Sequence, residues 1–358
     1  MEKLGIVGLP NSGKSALFNA LTGSDATVAP HPFSTTETNL GVAQVPDPRL
    51  VALADMSKSR KTVHAHVEFV DIAGLVAGSA QGEGLGNRFL AGIREVDALV
   101  LVLRSFVDDN VPGGTHPLDD LQVLELELVL ADAATVENQI DKRRKAARAE
   151  RALAAEVAAL ESAVEALHAA TPLYRSALPD DQRALLRPFF LLTNKPVLVV
   201  VNLGEDQVAG AAALLEPVAA EIGAAGEVLG VSVQLESEAA QLPDGERAEL
   251  LEGLGLGEGA LARVIQAAYH LLGRRTFFTT GDKESRAWTF RAGAHAPECA
   301  GVIHSDLQRG FIRAEVIHWD ELLEIGSWHK AKELGRLRVE GKDYEVVDGD
   351  VLEIRFNV

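Results

Sequence analysis

Short apolar runs alternate along the chain with longer stretches whose apolar residues return every three or four positions. The runs at 4–7, 67–70, 98–103, 197–201 and 228–231 are rich in Val, Leu and Ile and have the length of strands buried on both faces. With helical spacing between them, they predict an α/β fold built on a doubly wound, mostly parallel sheet. Residues 121–192 interrupt the alternation with no strand signal. Within them, 121–167 contains neither Gly nor Pro, and Leu153, Val157, Leu160, Val164 and Leu167 share one helical face. Thr171-Pro172 and Leu178-Pro179-Asp180 punctuate the end of the segment. It reads as a coiled-coil-like helical arm, part of a helical hairpin, inserted into a sheet domain that is thereby discontinuous over 1–120 and 193–275. From 276 onward the texture changes. Strand-like pieces at 276–279, 311–316, 344–347 and 351–356 lie between Gly and Asp turns, and Asp348-Gly349-Asp350 predicts a hairpin joining the last two. A separate small domain of mixed strand and helix, about 278–358, is expected.

Gly8-Leu9-Pro10-Asn11-Ser12-Gly13-Lys14-Ser15 fits G-x-x-x-x-G-K-[ST] directly after the first apolar run and ahead of a helix-like segment at 15–21. Its glycines let successive backbone N–H groups turn onto phosphate oxygens at a helix N-terminus, where the dipole also favours negative charge. Lys14 is expected to neutralise the β and γ phosphates and Ser15 to ligate Mg²⁺, with Asn11, Ser12, Gly13 and Ala16 among the nucleotide contacts. In strand-to-helix context the full pattern is rarely a chance Gly-rich turn, so the chain is read as a nucleoside triphosphatase.

Asp71-Ile72-Ala73-Gly74 follows the run at 67–70, which puts Asp71 at a strand C-terminus beside the phosphate loop. Its carboxylate is expected to hold Mg²⁺ through water, and the Gly74 N–H to sense the γ phosphate. His31-Pro32-Phe33-Ser34-Thr35-Thr36 offers a loop hydroxyl to cap Mg²⁺, Thr35 first and Thr36 in reserve. Leu75 stands where Ras-like enzymes carry the glutamine that orients the attacking water, and a leucine cannot do so. Turnover is therefore expected to be slow, with water positioned by a partner or by another group. His116, in the Gly-rich loop after 98–103, is the candidate, set against the plainer reading of an ordinary loop histidine.

The run at 197–201 leads into Asn202-Leu203-Gly204-Glu205, where a nucleotide switch protein carries its base-reading N-K-x-D. Asn202 fits and Leu203 and Glu205 depart, yet all three are expected among the nucleotide contacts. An Asp in the last position pairs with the N1 and N2 hydrogens of guanine. The longer Glu205, with Leu203 in place of the lysine that stacks over the base, makes ATP the better expectation than GTP. Ser232-Val233, after the last sheet strand, stands where such proteins place a backbone contact to the base.

Charge narrows the partners. The 358 residues hold 34 Lys and Arg against 52 Asp and Glu, a net charge of −18, which argues against broad, nonspecific adsorption to nucleic acid or anionic membrane; neither DNA nor a membrane is expected as a partner. The densest basic run, Lys142-Arg143-Arg144-Lys145 with Arg148 and Arg151, lies on the arm. It reads either as solvated charge balanced by neighbouring Glu or as a contact for ribosomal RNA phosphates. Cys299, the single cysteine, cannot form an internal disulfide. The chain opens on charge, and its apolar runs fall short of the ~20 residues that span a bilayer, so a cytoplasmic location is expected. His64 and His66 have a two-ligand spacing without a third ligand and read as strand histidines. Trp288, Trp319 and Trp328 read as packing or interface residues.

The motifs at 8–15, 71–75 and 202–205 together resemble the YchF (Obg-like ATPase) family of TRAFAC-class P-loop NTPases. So does the tail from Ala300-Gly301-Val302-Ile303-His304 through Gly310-Phe311-Ile312-Arg313-Ala314-Glu315-Val316-Ile317 to Arg355-Phe356-Asn357-Val358, and the resemblance covers essentially the whole chain. It implies a G domain with an inserted antiparallel helical arm and a C-terminal TGS domain of β-grasp type. It also implies ATP preference through an altered base motif, a hydrophobic residue for the catalytic glutamine, and binding to the ribosome, at the large subunit or the 70S particle, through arm and TGS domain. Leu75 and Glu205 are the matching positions. Relatives usually have Ile and Pro at the positions of Thr36 and Thr38, and a longer loop than 109–117, where His116 inherits the role of their catalytic histidine. Asn11 matches a position at which related enzymes bind K⁺. A GTPase of Obg type, and a nucleotide-gated scaffold with incidental hydrolysis, are the alternative readings.

Overall fold

The computed structural model describes residues 2–23, 39–72, 85–108, 113–148, 150, 153–253 and 259–357. In chain order the strands are β1 (Lys3–Gly8), β2 (Asn39–Gln44), β3 (Thr62–Val63), β4 (His66–Asp71), β5 (Ala98–Arg104), β6 (Val197–Asn202), β7 (Gly226–Val231), β8 (Arg274–Thr279), β9 (Ser285–Arg291), β10 (Phe311–His318), β11 (Arg338–Glu340) and β12 (Asp350–Phe356). They form two six-stranded sheets, and the chain divides into two compact units, Met1–Ala43 with Glu68–Ala268 and Gln44–Val67 with Tyr269–Val358.

The first unit holds the sheet β2-β4-β1-β5-β6-β7, in which β4, β1, β5, β6 and β7 pair in parallel. Every residue of β5 and β6 is buried, as their unbroken Val and Leu runs require of strands covered on both faces. β2 was not foreseen: Asn39-Leu40-Gly41-Val42-Ala43-Gln44 alternates exposed and buried residues at the sheet edge and contains a glycine, so its strand signal is weak.

The arm begins earlier than its composition suggests. Its long helix, Pro117–Ala147, carries proline in its first turn with Asp119 and Asp120, and Arg144 and Lys145 in its last, the arrangement the helix dipole favours. Leu121, Leu124 and Leu128 lie in the core under the sheet. Further out, Val136 and Ile140 join Ala159, Leu160, Ala163 and Leu167 of the helix Ala154–His168 in a core of their own. Two residues of the basic run are paired with the facing helix: half-buried Arg143 with Glu156 at 2.8 Å, with its guanidinium 5.3 Å from the centre of the Phe189 ring, and exposed Arg144 with Glu161 at 2.7 Å. Lys142, Lys145 and Arg148 remain exposed.

Asp132 fixes the arm to the chain re-entering the sheet. Its buried carboxylate accepts Leu192 N–H at 2.8 Å and both Thr193 N–H and Thr193 Oγ1 at 2.7 Å. Asp132→Ala leaves those buried donors without an acceptor. The expected loss is about 3 kcal/mol, read as a lower urea midpoint at unchanged m-value. Retention of wild-type stability would show that water replaces the carboxylate.

The stretch Glu205–Ala225 reaches the length and mean hydropathy, 1.4, of a membrane span. It carries Glu205, Asp206, Glu216 and Glu221, it is divided between the turn Glu205–Gly210 and the helix Ala211–Ile222, and that helix buries Val218 and Ile222 in the core under the sheet.

The second unit holds the sheet β11-β10-β12-β8-β9-β3, mixing antiparallel pairs (β8 with β9, β10 with β12) and parallel ones (β12 with β8, β3 with β9). Residues 344–347, read as a strand, are not one. They make only an isolated bridge between Glu345 and His295, and β12 pairs with β10 instead. The reason is local. The Asp350 carboxylate takes the Val347 N–H at 3.0 Å and the Tyr344 hydroxyl at 2.8 Å, folding this stretch into a turn. Trp288 stacks on Phe277 and donates to Thr279 Oγ1 at 3.0 Å, a packing role.

Residues 44–67, which nothing in the sequence separated from the first unit, belong here. Arg49, in the helix Pro48–Ser57, bridges Asp47 at 2.9 Å and Asp348 at 2.6 Å and lies 5.2 Å from the centre of the Phe278 ring. Asp348 also accepts the Thr276 N–H at 2.7 Å, while Ser59 Oγ donates to Gly281 C=O at 2.6 Å. His64 Nδ1 lies 3.3 Å from the Val45 carbonyl, and among the described residues no group of His, Cys, Asp and Glu is arranged to hold a metal ion by itself.

Candidate nucleotide-binding site

β1 ends at Gly8, and the chain turns through Leu9 to Gly13 before the helix Lys14–Thr22 begins. The turn needs its glycines. A Cβ on Gly8 would lie 2.5 Å from the Val102 carbonyl oxygen, and Gly13 has φ of 92° with the Asn202 amide 2.2 Å from where its Cβ would be. Asn11 adopts a left-handed φ of 64°, which asparagine tolerates better than most residues. The helix ladder opens with Leu17 N–H to Gly13 C=O at 2.9 Å, and among the described residues no side chain caps the N-terminus. A positive helix end is therefore held open toward an anion.

Lys14 is buried and donates Nζ to the Leu9 carbonyl at 2.8 Å. Burial lowers its pKa to about 8, against the opposing pull of the Asp71 and Asp120 carboxylates. Ser15 Oγ donates to Asp71 Oδ2 at 2.7 Å across the β1 and β4 ends, where Ile6 and Asp71 are register partners. Asp71 is fully buried, and desolvation lifts its pKa above the ordinary carboxylate value despite the Ser15 hydrogen bond and nearby Lys14.

Asn202, at the end of β6, ties the surrounding loops together. Its Nδ2 donates to Ser12 C=O at 3.1 Å, its Oδ1 accepts Val233 N–H at 3.3 Å, and its own carbonyl accepts Ser105 N–H at 2.9 Å and Phe106 N–H at 3.2 Å. Leu203 corrects an expectation. Its side chain is 4% exposed and packed in the core under the sheet, so it does not lie where the lysine of N-K-x-D would cover a base. Glu205 is exposed at the start of a short helical turn, Glu205–Gly210. Ser232 precedes the helix Val233–Ala239 and is buried.

His116 is exposed at the N-cap of the arm's long helix, where its carbonyl receives the Asp119 and Asp120 amides at 3.1 and 3.2 Å. Among the described residues no hydrogen bond joins it to the phosphate loop. Thr35, with its reserve Thr36, and Gly74 and Leu75 lie outside the described residues.

Four buried side-chain oxygens have no hydrogen-bond partner here among the described residues: Ser12 Oγ, Asp71 Oδ1, Ser105 Oγ and Ser232 Oγ. They follow or end β1, β4, β5 and β7, along the carboxyl edge of the parallel sheet. Buried polar atoms rarely stay unpaired, and the crevice beyond the carboxyl ends of parallel strands is where α/β sheets bind ligands. The Ser15 hydroxyl and the unpaired Asp71 oxygen are hard oxygen donors of the kind Mg²⁺ takes when phosphates and water supply its other ligands. The residues present fit that ion.

Sequence reasoning missed the residues that brace this edge. Asp120 Oδ2 accepts Arg104 N–H at 3.0 Å, the Arg104 guanidinium sits 4.5 Å from the centre of the Phe106 ring, and Gln207 donates to Ser105 C=O at 3.0 Å. No motif marks them; the acidic first turn of the arm helix was the one available signal.

A strand, a G-x-x-x-x-G-K-S turn and a helix on a parallel sheet, with an aspartate at the neighbouring strand end, define a P-loop nucleotide-binding protein of G-domain fold. Residues 3–139 match the MMR_HSR1 family, described as 50S ribosome-binding GTPase. Residues 275–357 match the YchF-GTPase_C family, described as a protein of unknown function (DUF933). The Bacillus subtilis (strain 168) protein called Ribosome-binding ATPase YchF is 46% identical over 361 residues, covering 99% of each chain. Its namesake from Escherichia coli O157:H7 is 45% identical over 362 residues, again with 99% of each covered. The solved structure of the Schizosaccharomyces pombe YchF GTPase matches with a TM-score of 0.85 at 31% identity, over 99% of this chain and 97% of that one. The chain belongs to the YchF family.

Proposed function

We propose that the chain is a Mg²⁺-dependent nucleotide switch that binds and slowly hydrolyses ATP, in preference to GTP, while associated with cytoplasmic ribosomes. The observation that carries the reading is the row of buried oxygens with no partner among the described residues, lying beside the N-terminus of the helix at Lys14: hydroxyls and a helix end suit phosphate, and the Asp71 oxygen suits its Mg²⁺. Lys14 exchanges the Leu9 carbonyl for phosphate oxygens, and Ser15, Thr35 and, through water, Asp71 would hold Mg²⁺. When bound, Mg²⁺ neutralises charge on the β and γ phosphates. Gly74 senses the γ phosphate. Leu75, in place of a water-orienting glutamine, makes turnover slow until a partner supplies that function.

ATP is favoured because Glu205 replaces the aspartate that pairs with guanine, and because the bacterial relatives are named ATPases. The yeast relative's structure is titled a GTPase, so the base is the point to test. Ribosome association follows from the relatives' name, with the arm and the C-terminal TGS-type domain as the contacting parts. Labelled Mg–ATP and Mg–GTP are titrated in parallel. ATP is expected to bind at least about tenfold more tightly, a difference near 1.4 kcal/mol. Tighter GTP binding sinks the reading of Glu205.

A further inference from the structure

We infer that Gln207 is the positioning residue for base selection: its side-chain amide fixes the loop that presents Glu205 to the base. This rests on the proposed reading of Glu205 and extends it to a residue outside every nucleotide-binding motif.

Asn202 is the expected base reader of its motif, yet both ends of its side-chain amide are engaged by protein, at Ser12 C=O and Val233 N–H. Leu203 is turned into the core. Discrimination at this loop therefore falls to where Glu205 is held. On its near side the loop is anchored by Leu203 N–H to Val231 C=O at 2.8 Å. On its far side Gln207 uses both ends of its amide: Oε1 accepts Gly204 N–H at 2.8 Å and Nε2 donates to Ser105 C=O at 3.0 Å. One side chain thus bridges the exit of β5 to the exit of β6, and Glu205 lies within the turn from Gly204 to Gln207 that this side chain closes. Gly204 closes the turn tightly, with Asp206 Oδ1 2.7 Å from where a Cβ would stand. A carboxylate selects between two bases only if its position is set to within a few tenths of an ångström. Loosening such a support shell costs specificity before it costs affinity for the rest of the ligand.

The test compares wild type, Gln207→Ala and Gln207→Glu by binding of Mg–ATP, Mg–GTP and Mg–tripolyphosphate, with Tm as a control for folding. Gln207→Ala is expected to lower affinity for the preferred nucleotide about tenfold and bring the ATP-to-GTP ratio toward one, leaving tripolyphosphate affinity and Tm unchanged. Gln207→Glu keeps the acceptor for Gly204 N–H but loses the donor to Ser105, so its ratio should fall between the two. An alanine variant that keeps the wild-type ratio, or that loses tripolyphosphate binding equally, overturns the inference, as does a wild type that does not discriminate the bases. A wild type that prefers GTP, with that preference abolished by Gln207→Ala, refutes the ATP reading and leaves the role of Gln207 standing.

Discussion

Lys14→Ala weakens Mg–triphosphate binding roughly 100- to 1,000-fold, the cost of removing one partner from a desolvated, hydrogen-bonded charge pair. Lys14 is 8% exposed, and without nucleotide its ammonium has the Leu9 carbonyl as acceptor, so its charge is poorly compensated until phosphate arrives. That arrangement has a pH signature. With a pKa lowered to about 8 by burial, Lys14 is charged at pH 7 and largely neutral by pH 9. Affinity therefore falls as pH rises through 8. The stability of the ligand-free protein moves the other way. Because the folded pKa lies below the unfolded value, the penalty for burying the ammonium is fully present below about 8. It is relieved between there and 10.5. Isothermal titration of a non-hydrolysable triphosphate across pH 7 to 9 checks the first sign. A flat profile would mean that Lys14 does not meet the phosphates.

Asp71→Asn should separate stability from function. The carboxylate is fully buried, one oxygen accepts Ser15 Oγ and the other has no partner among the described residues, so burial opposes its charge. An amide removes that penalty, and the ligand-free protein should gain about 1–2 kcal/mol, as polar groups kept for function commonly cost stability. The same change removes the anionic oxygen proposed to hold Mg²⁺. The strengthening of nucleotide binding on adding Mg²⁺ should then fall by roughly two orders of magnitude, about 2.7 kcal/mol. Melting curves with and without Mg–nucleotide read both effects. If Mg²⁺ still raises the variant's Tm as in wild type, Asp71 has another role.

Some parts of this molecule are written locally and others are not. Residues 8–15 declare the phosphate loop because each does its work within one turn of chain: a close approach at Gly8, a left-handed Gly13, and a lysine and serine opening a helix. β5 and β6 are as plain, since a strand covered on both faces admits little but Val and Leu. The root of the arm was obscured because Leu121, Leu124 and Leu128 look like any amphipathic helix until the sheet core they enter is known. Gln207 and Asp120 were invisible for a related reason. A polar side chain that joins two loop exits has no periodicity, and its partners, Ser105 and Arg104, come from another strand. Leu203 was misjudged because a motif position says which residue is present and not which way it faces.

The pairing of Arg49 with Asp348 spans 299 residues of sequence, and the short strand β3 lies beside β9. The C-terminal unit is consequently not a transplantable cassette. A fragment cut at the boundary of the matched tail, 275–357, would bare the β9 edge and leave Asp348 without its cation and Gly281 C=O without the Ser59 hydroxyl. Chimaeras that swap tails between relatives must carry residues 44–67 with them. Substitutions in that early stretch should be compensated in the last hundred residues rather than in their sequence neighbours.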